Sequence, residues 1–243
     1  MYDFQKQLER SVTGWNEVAQ RMVGGEGKVK DVCADCNNRA LSELDAYGKQ
    51  VLSDSGLLVH NYTRRDLMLR YDYALLLRWL LKVSFNSSRT DGAHRPLFEK
   101  YVPFMRGLGP LPSRNQVSVL LYLARPEVLG QSRIAAEPFV RITNGSPLLN
   151  PFLVRICYGG IPGEQRYVLR FNIFGPAVFY LLMFEDGIPP GHAASAIRSL
   201  TKATPGAVEL SAKQKVVHVR AGESSWLDLY EYQVARVQAL NGS

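Results

Sequence analysis

Residues 166–184 read RYVLRFNIFGPAVFYLLMF, and this stretch decides the fold. A Gly-Pro pair divides it into RYVLRFNIF (166–174) and AVFYLLMF (177–184), which are rich in the β-branched and aromatic residues typical of strands. In the first run, apolar residues at the odd positions alternate with Val168, Arg170 and Asn172. Because side chains alternate across a strand, this pattern predicts one buried and one wetter face.

Further segments with strand character lie on both sides of this stretch. They are VSVLLYLA (117–124), PFVRI (138–142), FLVRICY (152–158) and VVHVR (216–220). The segments from 117 to 184 follow one another without an intervening helical pattern. This order favours an antiparallel sheet.

Helical patterns occupy the first part of the chain and its end. Leu41, Leu44, Tyr47 and Val51 form one apolar stripe, which predicts a helix ending near residue 53. Four further helices are predicted at 2–23, from a weak periodicity, and at 66–85, 96–105 and 191–203. A polar loop is predicted at 86–92, and a final helix is capped by Ser224 or Ser225.

These patterns together predict an α+β fold. N-terminal helices with a Cys-x-x-Cys knuckle precede a mainly antiparallel sheet and a C-terminal helix. The Gly- and Pro-rich stretch GLGPLPSR (107–114) is typical of a linker. It predicts a helical region with a zinc-knuckle-like turn at 1–106 and an α+β region with the sheet at 115–243.

The composition points to a basic globular protein. The 243 residues include 46% hydrophobic and 21% charged residues, with a formal net charge of +7. The positive balance favours anionic partners such as DNA or RNA. Three cysteines and an N-terminus without a signal-like apolar core predict a cytoplasmic protein. Charged residues interrupt the run 67–85, so no membrane span is predicted.

Two cysteines stand two residues apart in VCADCNNRALSELD (32–45). Thiolates at this spacing both point at one ion, so Cys33 and Cys36 are candidate zinc ligands. Two alternatives stay open: a reduced pair at a helix turn, and a thiol redox site. The redox alternative lacks a β-α-β pattern after the cysteines.

The stretch KVKDVCADCNNRALSELDAYGKQVL (28–52) resembles the second half of the zinc-knuckle HNH endonuclease motif. The resemblance covers about residues 28–86. It implies Cys33 and Cys36 as ligands of a structural zinc ion and Asn37 at a metal-ligand position. It also implies phosphodiester hydrolysis, in which a histidine general base and a divalent metal ion act on nucleic acid.

The chain departs from that motif upstream of the knuckle. Residues 1–32 contain neither histidine nor cysteine, so the general base and the first zinc-binding pair are missing. The chain is then a shortened product, a degenerate relative that binds without cutting, or a protein that takes ligands from a partner or a second copy. We therefore predict an HNH-related, nucleic-acid-associated protein without an intact catalytic centre.

Two other functions are compatible with the sequence. One is an active metal-dependent endonuclease in which His60 or His94 acts from a displaced position. The other is an assembly component, in which the apolar helix 66–85 and the final helix form an interface with a second copy or a protein partner.

Arginines predict where nucleic acid would bind. The candidates are Arg64, Arg65, Arg155, Arg166 and Arg170. Those on predicted strands are interleaved with aromatic residues, a pattern that suits phosphate pairing and base stacking on single strands. The alternative is a sheet with one solvated arginine face.

Overall fold

The architecture is α+β, as predicted. The structure is a computed structural model that describes residues 13–16, 21–24, 40–91, 94–133, 135–161, 163–189 and 191–231. Helices α1 to α4 precede the main strands and are Ala40–Asp54, Tyr73–Asp91, Arg95–Glu99 and Val102–Met105. Helices α5 and α6 are Glu137–Thr143 and His192–Ala203, and α7 occupies 226–231.

Seven strands form the main sheet, and all but one of the pairings between them are antiparallel. In chain order they are β3 (Asp66–Arg70), β4 (Val117–Arg125), β7 (Val154–Gly159), β8 (Tyr167–Phe174), β9 (Ala177–Phe184), β10 (Val208–Leu210) and β11 (Val216–Ser225). The spatial order is β3-β11-β4-β9-β8-β7, and β10 also pairs with β4. The pairing of β11 with β4 is parallel.

The remaining strands form two small ribbons. Strands β1 (Thr13–Asn16) and β2 (Arg21–Gly24) pair with each other, as do β5 (Glu127–Val128) and β6 (Leu148–Leu149). The weak helical periodicity over 2–23 therefore gave a wrong prediction for β1 and β2. The rest of that segment lies outside the described residues.

The central strands are buried because helices cover both faces of the sheet. Every residue of β9 is buried, and so is almost all of β4. Helices α1 to α4 pack on one face, where Trp79 stacks on Phe174 of β8 with 4.8 Å between ring centroids. Helix α6 covers the other face through Ala196 and Leu200. This two-sided burial explains why β9 is an unbroken apolar run.

The two predicted regions share one hydrophobic core. Residues before the linker, such as Leu76 and Met105, belong to the same cluster as Val119 and Phe179 beyond it. Strand β3 lies in the first region and pairs with β11 in the second.

Helix α2 begins later than the apolar run predicts. Residues 66–70 form β3, in which Leu67 and Leu69 are buried while their neighbours are exposed. Asp72 then starts the helix, because its carboxylate accepts a hydrogen bond from the Leu75 N–H at 3.0 Å. The prediction of a polar loop at 86–92 is wrong for residues 86–91, because the helix continues to Asp91.

The segment PFVRI (138–142) is helical, so its assignment as a strand was wrong. It lies within α5, which carries proline in its first turn and Arg141 in its last. Asn144 follows the helix with a φ of 49°, in the left-handed region common at helix ends. These end signals outweigh the short apolar run.

Polar contacts hold α1 against α2. The buried ammonium group of Lys82 donates to the Leu41 carbonyl at 3.1 Å and pairs with the Asp45 carboxylate. The Tyr47 hydroxyl donates to the Asp72 carbonyl and accepts from the Asp72 N–H. Burial raises the pKa of Tyr47 to about 12. These contacts fix the two helices over the sheet.

The start of α7 confirms the predicted serine cap. The Ser225 N–H donates to the Asp228 carboxylate at 2.8 Å, and the Asp228 N–H reaches back to the Ser225 hydroxyl at 3.4 Å. This reciprocal arrangement is a capping box. Burial raises the pKa of Asp228, but the hydrogen bonds from Ser225 and the charges of Arg133 and Arg125 outweigh it and lower the pKa overall.

Replacing Asp228 by asparagine is expected to lower the free energy of unfolding by about 1 kcal/mol at neutral pH. Because the folded-state pKa is lowered, the carboxylate stabilises the fold above its unfolded-state pKa of about 3.9. This contribution disappears as the pH falls through the folded-state value. Denaturant unfolding of both proteins across this range measures it, with the exposed Glu223→Gln as control. An equal difference at acid pH would contradict the prediction.

Candidate nucleic-acid interface

The knuckle lies outside the described residues. This applies to Cys33, Cys36 and Asn37. Within the described part of the chain, no three His, Cys, Asp or Glu side chains stand together as a metal-binding group. The structural zinc ion and the divalent metal ion therefore stay predictions.

The five candidate arginines lie in separate parts of the fold. Arg64 and Arg65 precede β3 at one edge of the sheet, and Arg155 lies on β7 at the opposite edge. Arg166 precedes β8 and pairs with Glu185 at 3.3 Å. The structure therefore does not bring the five together on one surface.

Arg155 and Arg170 point to opposite faces of the sheet. The Arg155 guanidinium lies 4.3 Å from the ring centroid of Tyr230 on α7. The Arg170 guanidinium lies 5.8 Å from the ring of Phe98 on α3. No single sheet face therefore presents both arginines.

The wetter face predicted for β8 is wrong, because Arg170 and Asn172 are fully buried. Helix α2 covers this face, and the Ser84 hydroxyl donates to the Asn172 side-chain oxygen at 2.9 Å. The Arg170 guanidinium donates to the Ser84 carbonyl at 3.4 Å. With no accessible surface, Arg170 is a core residue rather than a group that meets solvent.

Strands β3 and β11 present the most exposed face of the sheet. Their residues alternate between buried and exposed from 66 to 70 and from 216 to 220. The register pairs the exposed residues directly across the two strands, so their side chains share one face. We call this set the ribbon face; it consists of Asp66, Met68, Arg70, Val216, His218 and Arg220.

Buried side chains and hydrogen bonds support the ribbon face from the opposite side of the sheet. Leu67, Leu69 and Val219 are buried against the helices on the opposite side. The Tyr71 hydroxyl donates a hydrogen bond to the Ser211 carbonyl and accepts one from the Ser211 N–H. The Tyr71 N–H donates to the carbonyl of Lys215, the residue before β11. Burial raises the pKa of Tyr71, so this phenol stays protonated as a donor. The exposed side chains thus project from a fixed backbone.

The ribbon face is positively charged. Arg70 and Arg220 occupy its two ends, and neither forms an ion pair with another described residue. Asp66 is the acidic member of the set and lies across from Arg220. The flanking cations are Arg64, Arg65, Lys213 and Lys215. Lys215 lies 3.9 Å from Asp72, and Arg64 donates to the Ser55 carbonyl at 3.2 Å.

The two histidines proposed as displaced general bases lie apart from this surface. His60 lines a cleft of about 450 Å³ together with Asn61, Thr143 and Asn144. His94 packs edge-on against Tyr158, with 5.1 Å between ring centroids. Neither belongs to a cluster of three metal-binding side chains in the described part of the chain.

Four leucines of helix α2 are not available to a partner. Leu76, Leu77, Leu80 and Leu81 are fully buried within this chain, as expected of a helix that is apolar on all sides. None of the described helices is long and apolar enough to cross a membrane. Assembly through the final helix stays a prediction.

Comparison of this chain with family models, with characterised proteins and with solved structures finds no match. The resemblance to HNH endonucleases therefore stays a prediction based on residues 28–86.

Sequence reasoning missed the ribbon face although one signal was present. In the predicted strand VVHVR (216–220), the basic residues His218 and Arg220 alternate with valines, a pattern that indicates one basic face. Polar and apolar residues also alternate in DLMLR (66–70), but the stronger apolar run that follows it favours a helix.

Proposed function

We propose that this protein binds nucleic acid through the ribbon face and its flanking cations. The observation that carries the proposal is an exposed strand pair whose end arginines, Arg70 and Arg220, have no ion-pair partner among the described residues. Phosphate groups are the natural partners of guanidinium groups held in this way.

The charge of the whole chain supports the same proposal. A net charge of +7 attracts polyanions over a distance, and the ribbon face gives that attraction a defined surface. Apart from Arg64 and Lys215, which have partners, four cationic side chains remain for phosphate contacts: Arg65, Arg70, Lys213 and Arg220.

Salt dependence tests this proposal. Four phosphate contacts predict that the logarithm of the association constant falls with the logarithm of the salt concentration with a slope of about −4. Fluorescence anisotropy with a labelled oligonucleotide over a salt series measures the slope. Binding that does not respond to salt, or no binding at low salt, would reject the proposal.

The proposal includes a relationship to HNH nucleases without nuclease activity. The turn at Cys33 and Cys36, with Asn37, would then be a scaffold element that holds zinc. Elemental analysis of the purified protein tests this part. Near-stoichiometric zinc supports a working knuckle, whereas zinc-free protein would reject it and leave the ribbon face unaffected.

A further inference from the structure

The dimensions of the ribbon face match those of the major groove of B-form DNA. Four residue steps separate Asp66 from Arg70, so the face is about 14 Å long. Two antiparallel strands lie about 5 Å apart, and the major groove of B-form DNA, about 12 Å wide, admits such a ribbon. We infer that the ribbon face enters the major groove of duplex DNA, an inference that rests on the proposed function.

Strand β11 separates from the main sheet where it forms the ribbon. Residues 216–220 pair with β3, and pairing with β4 begins at Ala221, with a register shift between Ala221 and Ser225. The ribbon is therefore a two-stranded unit at the edge of the sheet, and its face is not continued by the covered strands. A groove can receive a unit of this shape.

The placement of side chains suits groove insertion. The guanidinium groups of Arg70 and Arg220 lie at the two ends, where they reach the phosphates that border the groove. Met68 and His218 form the central pair, and Val216 lies beside them. Met68 and Val216 are 41% and 39% exposed, so they present apolar surface at the level of the bases. The thymine methyl group in the major groove is the apolar feature they would contact.

Single-stranded nucleic acid fits this surface less well. Binding of single strands relies on aromatic side chains that stack successive bases. Among the six residues of the ribbon face, His218 is the one with a ring, and one imidazole cannot stack a series of bases. The neighbouring Tyr62 and Tyr71 are buried, and their hydroxyls donate to backbone carbonyls.

Duplex RNA is also a poor fit. The major groove of an A-form helix is deep and narrow, so side chains on a ribbon do not reach its base edges. The shape of the ribbon face thus discriminates between the two kinds of duplex, although both carry the same phosphate charge.

The test compares three labelled ligands of one sequence at one salt concentration: duplex DNA, duplex RNA and single-stranded DNA. We expect duplex DNA to bind at least about tenfold more tightly than the others. Equal or tighter binding of single strands or duplex RNA would overturn groove insertion and leave the proposed function standing. Failure to bind any of the three would reject the proposed function itself.

A second measurement places the ribbon in the groove. A thymine-rich duplex is compared with one in which uracil replaces thymine, which removes only the major-groove methyl groups. The wild-type protein should lose affinity several-fold, whereas a Met68→Ala, Val216→Ala variant should respond less. Circular dichroism checks that this variant, changed only at exposed positions, is folded. If the wild-type protein binds both duplexes equally, Met68 and Val216 do not contact the thymine methyl groups, and insertion of the ribbon face into the groove is wrong.

Discussion

Replacing Trp79 by alanine is expected to lower the free energy of unfolding by about 3–5 kcal/mol. The indole is fully buried at the centre of α2 and stacks on Phe174 of β8, so its loss opens a cavity between the helices and the sheet. For a chain of this length, the loss corresponds to a fall in melting temperature of about 6–20 °C. Calorimetry or thermal circular dichroism measures it.

Gly48 of α1 has no side chain that could move into that cavity. Gly48 of α1 lies directly against the indole: a Cβ added there would lie 2.1 Å from the Trp79 Cε2 atom. The glycine permits this contact, and nothing bulkier at position 48 would fit beside the ring. The ion pair between Lys82 and Asp45 also fixes the position of α1 relative to α2, so the two helices do not easily shift to close the space.

Trp79→Phe is the matched control for the alanine variant. Phenylalanine keeps the stacking on Phe174 and removes the indole N–H, which has no hydrogen-bond partner among the described residues. Since an unpaired buried donor is costly, part of the lost packing is offset and the destabilisation should be clearly smaller. If both variants lost equal stability, the cavity would not be the cause.

Periodicity predicted the elements whose apolar pattern matches the surface that packing buries. Strand β9 was predicted at 177–184 and is observed at Ala177–Phe184, because an unbroken apolar run between turn residues has few alternatives. The stripe from Leu41 to Val51 likewise predicted α1, observed at Ala40–Asp54. In these segments, local pattern and tertiary environment agree.

Errors arose where a distant part of the chain decides the outcome. Residues 66–70 adjoin an apolar helix and look continuous with it, but β11 supplies a pairing partner from the other end of the sequence. Arg170 alternates with apolar residues as a solvent-facing residue would, and only the position of α2 and α3 buries it. An alternating pattern identifies two faces but does not say which of them is covered.

The sequence predicts that the protein has a basic surface, but it does not predict where on the fold that surface lies. The positive charge predicts a polyanionic partner. Among the candidate arginines, Arg64 and Arg65 flank the ribbon face, whereas Arg155, Arg166 and Arg170 lie elsewhere in the fold. The ribbon face requires the register between β3 and β11, which pairs Arg70 with Val216 and Met68 with His218. The register between two strands that are so far apart in sequence cannot be predicted from the residues of either strand alone.

Reversing the two end charges of the ribbon face, in an Arg70→Glu, Arg220→Glu variant, is expected to weaken nucleic-acid binding by about 100-fold at low salt. Each replacement removes a guanidinium–phosphate contact and adds repulsion, at a cost of about tenfold each. The salt slope should become shallower by about 2, because two fewer counterions are released. Fluorescence anisotropy over a salt series gives both quantities.

A Lys49→Glu, Arg106→Glu variant controls for net charge. Both residues are exposed, and they lie on α1 and just after α4, among the helices that cover the opposite side of the sheet. The change in total charge is identical, so a long-range effect would weaken binding equally in the two variants. A local interface predicts a small effect for the control. Equal losses would show that the overall charge attracts nucleic acid and that the ribbon face has no special part.

Neutralising Asp66 is expected to change the binding affinity in the opposite direction, toward tighter binding. This carboxylate lies on the ribbon face across from Arg220, where it would repel a bound phosphate. Asp66→Asn should therefore tighten binding, whereas loss of a structural contact would weaken it. The Tyr62 hydroxyl donates to the Asp66 backbone carbonyl at 2.6 Å, and this bond survives the substitution. A variant with unchanged stability and weaker binding would contradict a phosphate-facing position for this strand pair.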